Sequence, residues 1–316
     1  MGALLLCVCW GKKPIIVPPV PGGGGGGGDD PKPIKQAEIG KPLPAWEKGW
    51  FDIHFINTTT GEAVYLIFPD GTQMLIDAAG SQVATGVVNR VTNTGIRARW
   101  DPTKESGWLC GEYIANYIKS CQAWVGSSKI DYVLLTHFHN DHFGGASGLP
   151  VSDLSPNYVK QSLPYILDNF EVGKLMDRGY PDYNYPFDMS SKADNSANCT
   201  NYIKAVKYQV EKRGVVAEKF VAGSNTQIQL LKYADSYPGF VVRNLAINGE
   251  IWNGGTGTNK TFPELNEIVV ANTKDVKSSD KCPAENHMSC MAKFSFGSFD
   301  FFAGGDGQYT GLSSFA

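Results

Sequence analysis

The stretch Thr136-His137-Phe138-His139-Asn140-Asp141-His142-Phe143-Gly144-Gly145 holds three of the five histidines in the 316-residue sequence. It follows Ile130-Asp131-Tyr132-Val133-Leu134-Leu135, an apolar and β-branched run that predicts a buried strand. We call residues 136–145 the histidine loop. Because the loop begins where a strand ends, we expect it at the edge of an open α/β sheet, where such sheets bind ligands.

The polar side chains of the histidine loop have the types and the spacing of metal ligands. His137 and His139 are two positions apart in extended backbone, so both rings can point to the same side. Asp141 and His142 follow, and imidazoles and carboxylates bind zinc, iron or manganese. The pattern offers one ligand pair to each of two neighbouring metal ions. A site for a single metal ion is the alternative, and a solvated loop is the interpretation without function.

On these residues the sequence resembles the metallo-β-lactamase-fold hydrolases. His137, His139, Asp141 and His142 match the ligand motif of that superfamily, and the preceding strand and the Gly144-Gly145 pair match its surroundings. The resemblance implies an α/β (α+β) protein with a four-layer αββα sandwich. It also implies two bound zinc ions, with Mn or Fe as alternatives, and hydrolysis by a metal-activated hydroxide.

Three predicted strands precede the histidine loop and lead to a further candidate residue. Residues 51–56, 64–68 and 72–76 have strand patterns, and Pro69-Asp70-Gly71 has the composition of a tight turn. Asp77 ends the third of these strands. The resemblance implies that Asp77 orients a metal-binding histidine, since a carboxylate behind such a ligand fixes its tautomer and direction.

The start of the domain resembles one branch of the superfamily. Phe51-Asp52-Ile53-His54-Phe55-Ile56-Asn57, followed by Gly61-Glu62-Ala63, is similar to the ComEC-type branch, named after a protein of DNA uptake. That branch has an Asp where this sequence has Glu62, so the similarity is partial. It implies phosphodiester substrates. We interpret His54 as a structural or pocket-lining residue rather than as a ligand.

The end of the sequence supplies the remaining candidate ligands. The resemblance implies that Asp306 bridges the two metal ions, and that Asp306 or Asp141 acts in catalysis as ligand and proton acceptor. Asn286 and Ser289 match a short motif of the ComEC-like branch, with Ser289 as an orienting residue. His287 is the alternative to Asn286 as the third ligand of the first metal ion.

The superfamily fold continues beyond the bridging Asp to a last histidine ligand, whereas this sequence ends at Ala316. We therefore expect a truncated sandwich that lacks its last strands and helix. Truncation is favoured because the sheet would otherwise keep an open edge. The alternative is a protein that works with one firmly held metal ion.

Residues 150–280 form a long insertion that contains Arg178-Gly179-Tyr180-Pro181-Asp182-Tyr183-Asn184-Tyr185-Pro186. Arg178, Tyr180 and Tyr183 are candidate substrate contacts, because Arg can bind a phosphate and aromatic rings can stack on a base or sugar. The alternative is a rigid surface loop packed by its own rings. We expect the insertion to form a lid and part of the second sheet.

Residues 1–45 are predicted to be a leader and a disordered Gly/Pro linker, and residues 46–316 the hydrolase domain. The apolar run that ends in Cys7 and Cys9 resembles a lipoprotein leader with a lipid anchor on one of them, although no Lys or Arg precedes it. The seven glycines at 22–28 predict a flexible tether. We expect an extracytoplasmic location, whether periplasmic, secreted or lipid-anchored. The alternatives are a cytoplasmic protein and a start that is a spurious codon or a cloning scar.

The composition restricts the partners and the cross-links. A net charge of -3 gives no basic signal for nucleic-acid binding, although metal ions can hold the phosphates of such a substrate. No apolar run approaches the roughly 20 residues of a transmembrane helix. The domain's cysteines have no C-x-x-C spacing, and both disulfides and buried free thiols are open.

These features predict a metallo-hydrolase that acts on phosphodiester bonds, either in nucleic acids or in nucleotides. One alternative is hydrolysis of a lactone, thioester or amide by the same fold. The other is a non-catalytic binding module or an inactive fragment. The sequence does not specify the oligomeric state.

Overall fold

The computed structural model describes residues 3–7, 41–58, 61–79, 109–185, 187–191, 193, 195–255, 260–261 and 285–307. In this part of the chain two β-sheets pack face to face, and helices cover the outer face of one of them. The mixed α/β class predicted from the sequence is therefore confirmed.

The first sheet has seven strands, which follow one another in the order of the chain. They are β1 (Ala3–Cys7), β2 (Trp50–Phe55), β3 (Val64–Ile67), β4 (Gln73–Ile76), β5 (Lys129–Leu134), β6 (Glu171–Asp177) and β7 (Val216–Lys219). β2, β3 and β4 are antiparallel neighbours, whereas β4 to β7 run parallel. The carboxyl ends of β4 and β5 therefore meet at one edge of the sheet, and the histidine loop starts there.

The second sheet has five strands in the order β10-β9-β8-β11-β12. They are β8 (Phe240–Ile247), β9 (Glu250–Ile251), β10 (Lys260–Thr261), β11 (Met291–Phe296) and β12 (Phe299–Ala303). All four pairings are antiparallel. The last two strands carry the chain back to the edge where the histidine loop lies.

An aromatic and aliphatic core fills the space between the two sheets. Phe51 and Leu66 of the first sheet and Phe294 of the second are fully buried there, and Phe240 is almost so. The Phe51 and Phe240 rings meet edge to face, with centroids 5.3 Å apart. Because side chains alternate along a strand, the same strands present a second apolar set to the opposite face.

The helices cover that opposite face of the first sheet. They are α1 (Cys110–Val125), α2 (Asn140–Phe143), α3 (Ser162–Asn169) and α4 (Ser196–Arg213). Ile114 on α1, Leu163 on α3 and Tyr202 on α4 pack in one cluster with Tyr65 and Leu75 of the sheet. Three of the four predicted layers are thus present. A helical layer on the second sheet is not among the residues that the structure describes.

The insertion at 150–280 belongs to both sheets. It contributes β6 and β7 to the first sheet, whereas the sequence indicated only the second. Residues 227–230 have the alternating apolar pattern of a strand, but this segment is irregular. Its backbone bonds to side chains instead of a neighbouring strand. The Gln229 N–H donates to the Tyr132 hydroxyl, and that hydroxyl donates to the Gln229 carbonyl.

The predicted leader and linker lie mostly outside the described residues. Residues 3–7 form β1, which pairs parallel to β2, and residues 8–40 are not described. In the described ranges no helix combines the length and apolar character needed to cross a membrane. Four of the domain's cysteines are buried free thiols, and Cys282 lies outside the described ranges; the four are Cys110, Cys121, Cys199 and Cys290.

Candidate metal centre

Asp77 occupies the point where β4 ends, directly beside the end of β5. Its backbone N–H donates to the Leu134 carbonyl at 2.9 Å, so the residue is still held by the neighbouring strand. Its φ of 54° lies in the left-handed region, which few residues other than glycine adopt. Such backbone conformations cost free energy and cluster at functional sites. The conformation turns the Asp77 carboxylate into the interior below the histidine loop.

The buried Asp77 carboxylate organises the start of the histidine loop. Oδ1 accepts a hydrogen bond from the Thr136 N–H at 2.7 Å, and Oδ2 accepts one from the Thr136 hydroxyl at 2.7 Å. Oδ2 also accepts a hydrogen bond from His142 Nδ1 at 2.7 Å. When His142 is neutral, as a metal ligand must be, this bond keeps its proton on Nδ1 and leaves Nε2 to bind a metal ion. Asp77 therefore holds the His142 ring in one orientation.

Three of the predicted ligands lie close together above Asp77. One ligand atom from each of His137, His142 and Asp306 lies within 4.8 Å of the other two. The His142 Nε2 atom lies 3.3 Å from Asp306 Oδ1. His137 Nε2 lies 3.1 Å from His139 Nδ1, so His139 is a fourth candidate ligand beside the group. Asp141 is exposed on the short helix α2 that follows.

A glycine brings Asp306 close to the histidine loop. Gly305 has a φ of +51°, and a Cβ at this position would lie 2.8 Å from the Thr136 hydroxyl oxygen and 3.1 Å from that of Ser289. A larger residue would push the Asp306 turn away from the ligands. The predicted Gly-Asp motif therefore has a steric cause in this structure.

The two buried histidines differ in the direction in which their pKa values are shifted. Burial lowers the pKa of His137 well below its usual value, and the neighbouring His142 and His139 rings lower it further. Burial also acts to lower the pKa of His142, but the Asp77 and Asp306 carboxylates outweigh it and raise that pKa to about 11. His137 is thus a neutral imidazole, the form that binds a metal ion. His142 sits where a positive charge is stabilised.

The 3₁₀ turn Glu285–Met288 supplies the third side of the group. Asn286 interacts with the His137 ring and raises the pKa of His137 against the larger effect of burial. Its Oδ1 atom is buried and has no well-formed hydrogen bond from any described residue, although it lies near the His137 ring. An oxygen of that kind is suited to a cation. The Ser289 hydroxyl donates to the Asn286 carbonyl at 2.9 Å, and His287 is half-buried on the same turn.

Glu62 is a component of the site to which the sequence gave no role. Its Oε2 atom lies 3.8 Å from His142 Nδ1. Burial, together with the Asp77, Asp306 and Asp141 carboxylates, raises the pKa of Glu62 to about 7, although His142 opposes this. The only signal in the sequence was its place in the ComEC-like motif.

Arg178 is not an open substrate contact, which corrects the expectation from the sequence. Its side chain is fully buried, and its guanidinium pairs with the Glu285 carboxylate. Nε lies 2.6 Å from Glu285 Oε1, and Nη1 donates to the Tyr185 carbonyl at 2.9 Å. The guanidinium carbon also lies 4.8 Å from the centre of the Phe138 ring. These contacts of Arg178 hold the histidine loop in place, and they leave the guanidinium buried rather than open to a substrate.

The two tyrosines of that segment are also packed inward. The Tyr183 hydroxyl is buried and donates to Asp177 Oδ2 at 3.0 Å. Tyr180 is half-buried, and its ring packs edge to face on Tyr183 with centroids 6.3 Å apart. The segment is therefore a loop packed by its own rings, the alternative that the sequence left open. His54 is buried too, and its Nδ1 lies 3.0 Å from the Tyr117 hydroxyl, away from the ligands.

Residues 58–153 match the family model of the metallo-beta-lactamase superfamily. The match includes Glu62, Asp77 and the whole histidine loop, and it ends before the 3₁₀ turn and Asp306. It indicates a metal-dependent hydrolase. The two packed sheets and the helical layer are consistent with the metallo-β-lactamase fold. No curated protein matches the sequence.

The donor set fits a divalent metal ion. Imidazole nitrogens and carboxylate oxygens converge on one sheet edge, and one buried amide oxygen has no well-formed hydrogen bond from a described residue. Zinc, manganese and iron all accept such ligands. The sequence prediction assigns His137, His139 and either Asn286 or His287 to one metal ion, and Asp141, His142 and the bridging Asp306 to the second. Of these residues, His137, His142 and Asp306 have ligand atoms within 4.8 Å of one another.

Proposed function

We propose that this protein is a metal-dependent hydrolase of phosphodiester bonds. The observation that carries the hydrolase assignment is the convergence of His137, His142 and Asp306, whose ligand atoms lie within 4.8 Å of one another. The family match over residues 58–153 supports the same assignment. Two zinc ions are the expected cofactors, with manganese or iron as alternatives.

A bound divalent cation would supply Lewis-acid chemistry, since it activates water and stabilises negative charge on a phosphoryl or carbonyl group. The residues of the chain prepare that chemistry. Asp77 fixes His142 in the tautomer whose Nε2 faces Asp306. Burial keeps His137 unprotonated. Asp141 and Asp306 are the carboxylates that can accept a proton during hydrolysis.

The phosphodiester class rests on the resemblance of residues 51–63 to the ComEC-like branch. The predicted phosphate contact at Arg178 does not support it, because that side chain is buried against Glu285. An extracytoplasmic location and a lipid anchor on Cys7 or Cys9 stay predictions of the sequence.

The test compares turnover of bis(p-nitrophenyl) phosphate with that of a p-nitrophenyl ester and a lactone, in the presence of Zn²⁺ or Mn²⁺. We expect turnover of the phosphodiester and its loss in His139→Ala. Asn140→Ala is the matched control, because this exposed neighbour lies between the ligands and bonds only to Asn198 among the side chains described. Turnover of the ester or lactone alone would overturn the substrate class. Metal binding without any turnover would overturn the enzyme assignment.

A further inference from the structure

The backbone around Glu62 is fastened to the histidine loop. The Glu62 N–H donates to the Asp141 carbonyl at 2.9 Å, and the Glu62 carbonyl accepts a hydrogen bond from the Ala79 N–H at 3.0 Å. Gly61 precedes it with a φ of +101°, and a Cβ on Gly61 would lie 2.3 Å from the same Asp141 carbonyl oxygen. Only glycine permits this approach. The position of Glu62 is therefore set by the loop that carries the ligands.

The Glu62 side chain lies beside one of the candidate ligands. Its Oε2 atom lies 3.8 Å from His142 Nδ1, but that nitrogen already donates its proton to Asp77 at 2.7 Å. No described residue donates a hydrogen bond to the Glu62 carboxylate. The side chain is 32% exposed, so it lies at the mouth of the group rather than beneath it.

Like charges surround this carboxylate. Asp77, Asp141 and Asp306 each act on Glu62 as repelling neighbours, and His142 is the one attracting group among them. A carboxylate that three other carboxylates repel has an unfavourable energy unless a cation lies beside it. Asp77 is occupied by its hydrogen bonds to Thr136 and His142. Glu62, Asp141 and Asp306 remain available to a cation.

We propose that Glu62 is a ligand of the second metal ion, where it completes a set with Asp141, His142 and Asp306. This inference rests on the proposed function. The set would contain three carboxylates and one imidazole. The first metal ion would instead have two imidazole ligands, His137 and His139. Carboxylates favour harder ions such as Mn²⁺, and imidazoles favour Zn²⁺. The second position should therefore be the one that accepts Mn²⁺ more readily.

The test measures metal binding instead of activity. The full chain is stripped of metal, dialysed against Mn²⁺ or Zn²⁺, and analysed for bound metal per chain and for the affinity of each ion. We expect Glu62→Gln and Glu62→Ala to weaken binding of the second ion by about tenfold or more and to leave the first unchanged. Glu211→Gln, which changes a carboxylate on α4 that pairs with Lys207, is the matched control. Circular dichroism confirms that each variant is folded.

The outcomes separate the two claims. Loss of the second ion in both Glu62 variants, but not in Glu211→Gln, supports the assignment. Two ions bound with unchanged affinity in Glu62→Ala would overturn it and leave the proposed function intact. Failure of the unsubstituted chain to bind either metal would overturn the proposed function itself. Mn²⁺ electron paramagnetic resonance gives a second readout, since a spin-coupled signal should change to that of isolated ions in Glu62→Ala.

Discussion

Glu285 accepts a hydrogen bond from the backbone N–H of Phe138 at 2.8 Å, although the two residues are 147 positions apart in the chain. Phe138 lies between the ligands His137 and His139. The same carboxylate pairs with the buried Arg178, whose guanidinium packs on the Phe138 ring. This arrangement ties the histidine loop to the 3₁₀ turn that carries Asn286. It fixes the positions of candidate ligands from distant parts of the chain relative to one another.

Glu285→Gln should destabilise the protein strongly, because it leaves the Arg178 charge buried without its partner. Breaking a buried ion pair in this way typically costs about 3–5 kcal/mol. Chemical denaturation with urea measures the change in the free energy of unfolding. Glu171→Gln is the control, since Glu171 and Lys129 form an exposed pair at 3.2 Å and such pairs contribute about 1 kcal/mol at most. Similar losses in both variants would contradict the anchoring role.

Asp77→Asn should weaken metal binding more than it weakens folding. The amide cannot accept all three hydrogen bonds from Thr136 and His142, so the His142 tautomer is no longer fixed. Loss of such an orienting carboxylate typically lowers metal affinity by about 10–100-fold. Competition with a chromophoric chelator measures that affinity. Asp70→Asn removes an equally buried carboxylate that holds Thr72 and Lys232, and it should leave metal affinity unchanged.

Gly61→Ala should displace the Glu62 loop from the histidine loop. The added Cβ would meet the Asp141 carbonyl oxygen at 2.3 Å, and backbone on both sides cannot move aside easily. Gly126→Ala provides the comparison, because Gly126 also has a positive φ, +70°, but its Cβ would enter open space. Gly126→Ala should cost about 1–2 kcal/mol from backbone strain alone. Gly61→Ala should cost more and should also reduce metal affinity; equal costs would count against the close approach.

Asp52→Asn should stabilise the protein relative to the unsubstituted chain, and this stabilisation should be larger at pH 8 than at pH 4. Both carboxylate oxygens of Asp52 are buried without a described hydrogen-bond partner, and burial raises the pKa of Asp52 from 3.8 to about 7. The folded state therefore binds this proton more tightly than the unfolded chain does. The associated stability is present below about pH 4 and is lost as the pH rises to about 7.

The substitution removes that loss, so the advantage of Asp52→Asn over the unsubstituted chain should grow from pH 4 to pH 7 by about 1–4 kcal/mol. His54 lies 3.9 Å away, and burial lowers its pKa to about 4. Its effect has the opposite sign, because its stability is lost as the pH falls, and it is common to both proteins. Denaturation curves at several pH values measure the difference. An advantage independent of pH would show that Asp52 does not titrate in this range.

Local patterns in the sequence were sufficient for the strands and for the histidine loop. The apolar run at 130–135 forms most of β5, and the histidine loop follows its end. A strand edge gathers residues that are near in sequence to a strand terminus, and such residues carry a recognisable pattern. Asp77 and Asp306 also lie just after strands, and both carboxylates are beside His142.

Long-range contacts decided the features that the sequence did not predict. Arg178 is fully buried only because Glu285, 107 positions away, supplies its counter-charge. Without that partner, an Arg among tyrosines is typical of an exposed binding loop. The segment at 227–230 has a strand composition, but its backbone does not pair with any strand that the structure describes. The Gln229 N–H donates to the Tyr132 hydroxyl, and the N–H of Leu231, which follows the segment, donates to the Thr72 hydroxyl. Glu62 reaches the site through a glycine turn whose close approach is visible only in three dimensions.

The most direct test of the metal centre is the metal content of the purified full chain, measured by mass spectrometry before and after substitution of His137 and His142 by Ala. We expect about two divalent ions per chain in the unsubstituted protein and loss of metal in the double variant, while Asn140→Ala keeps both. A chain that binds no Zn²⁺ or Mn²⁺, or a double variant that retains its full metal content, would show that these histidines do not form a metal centre.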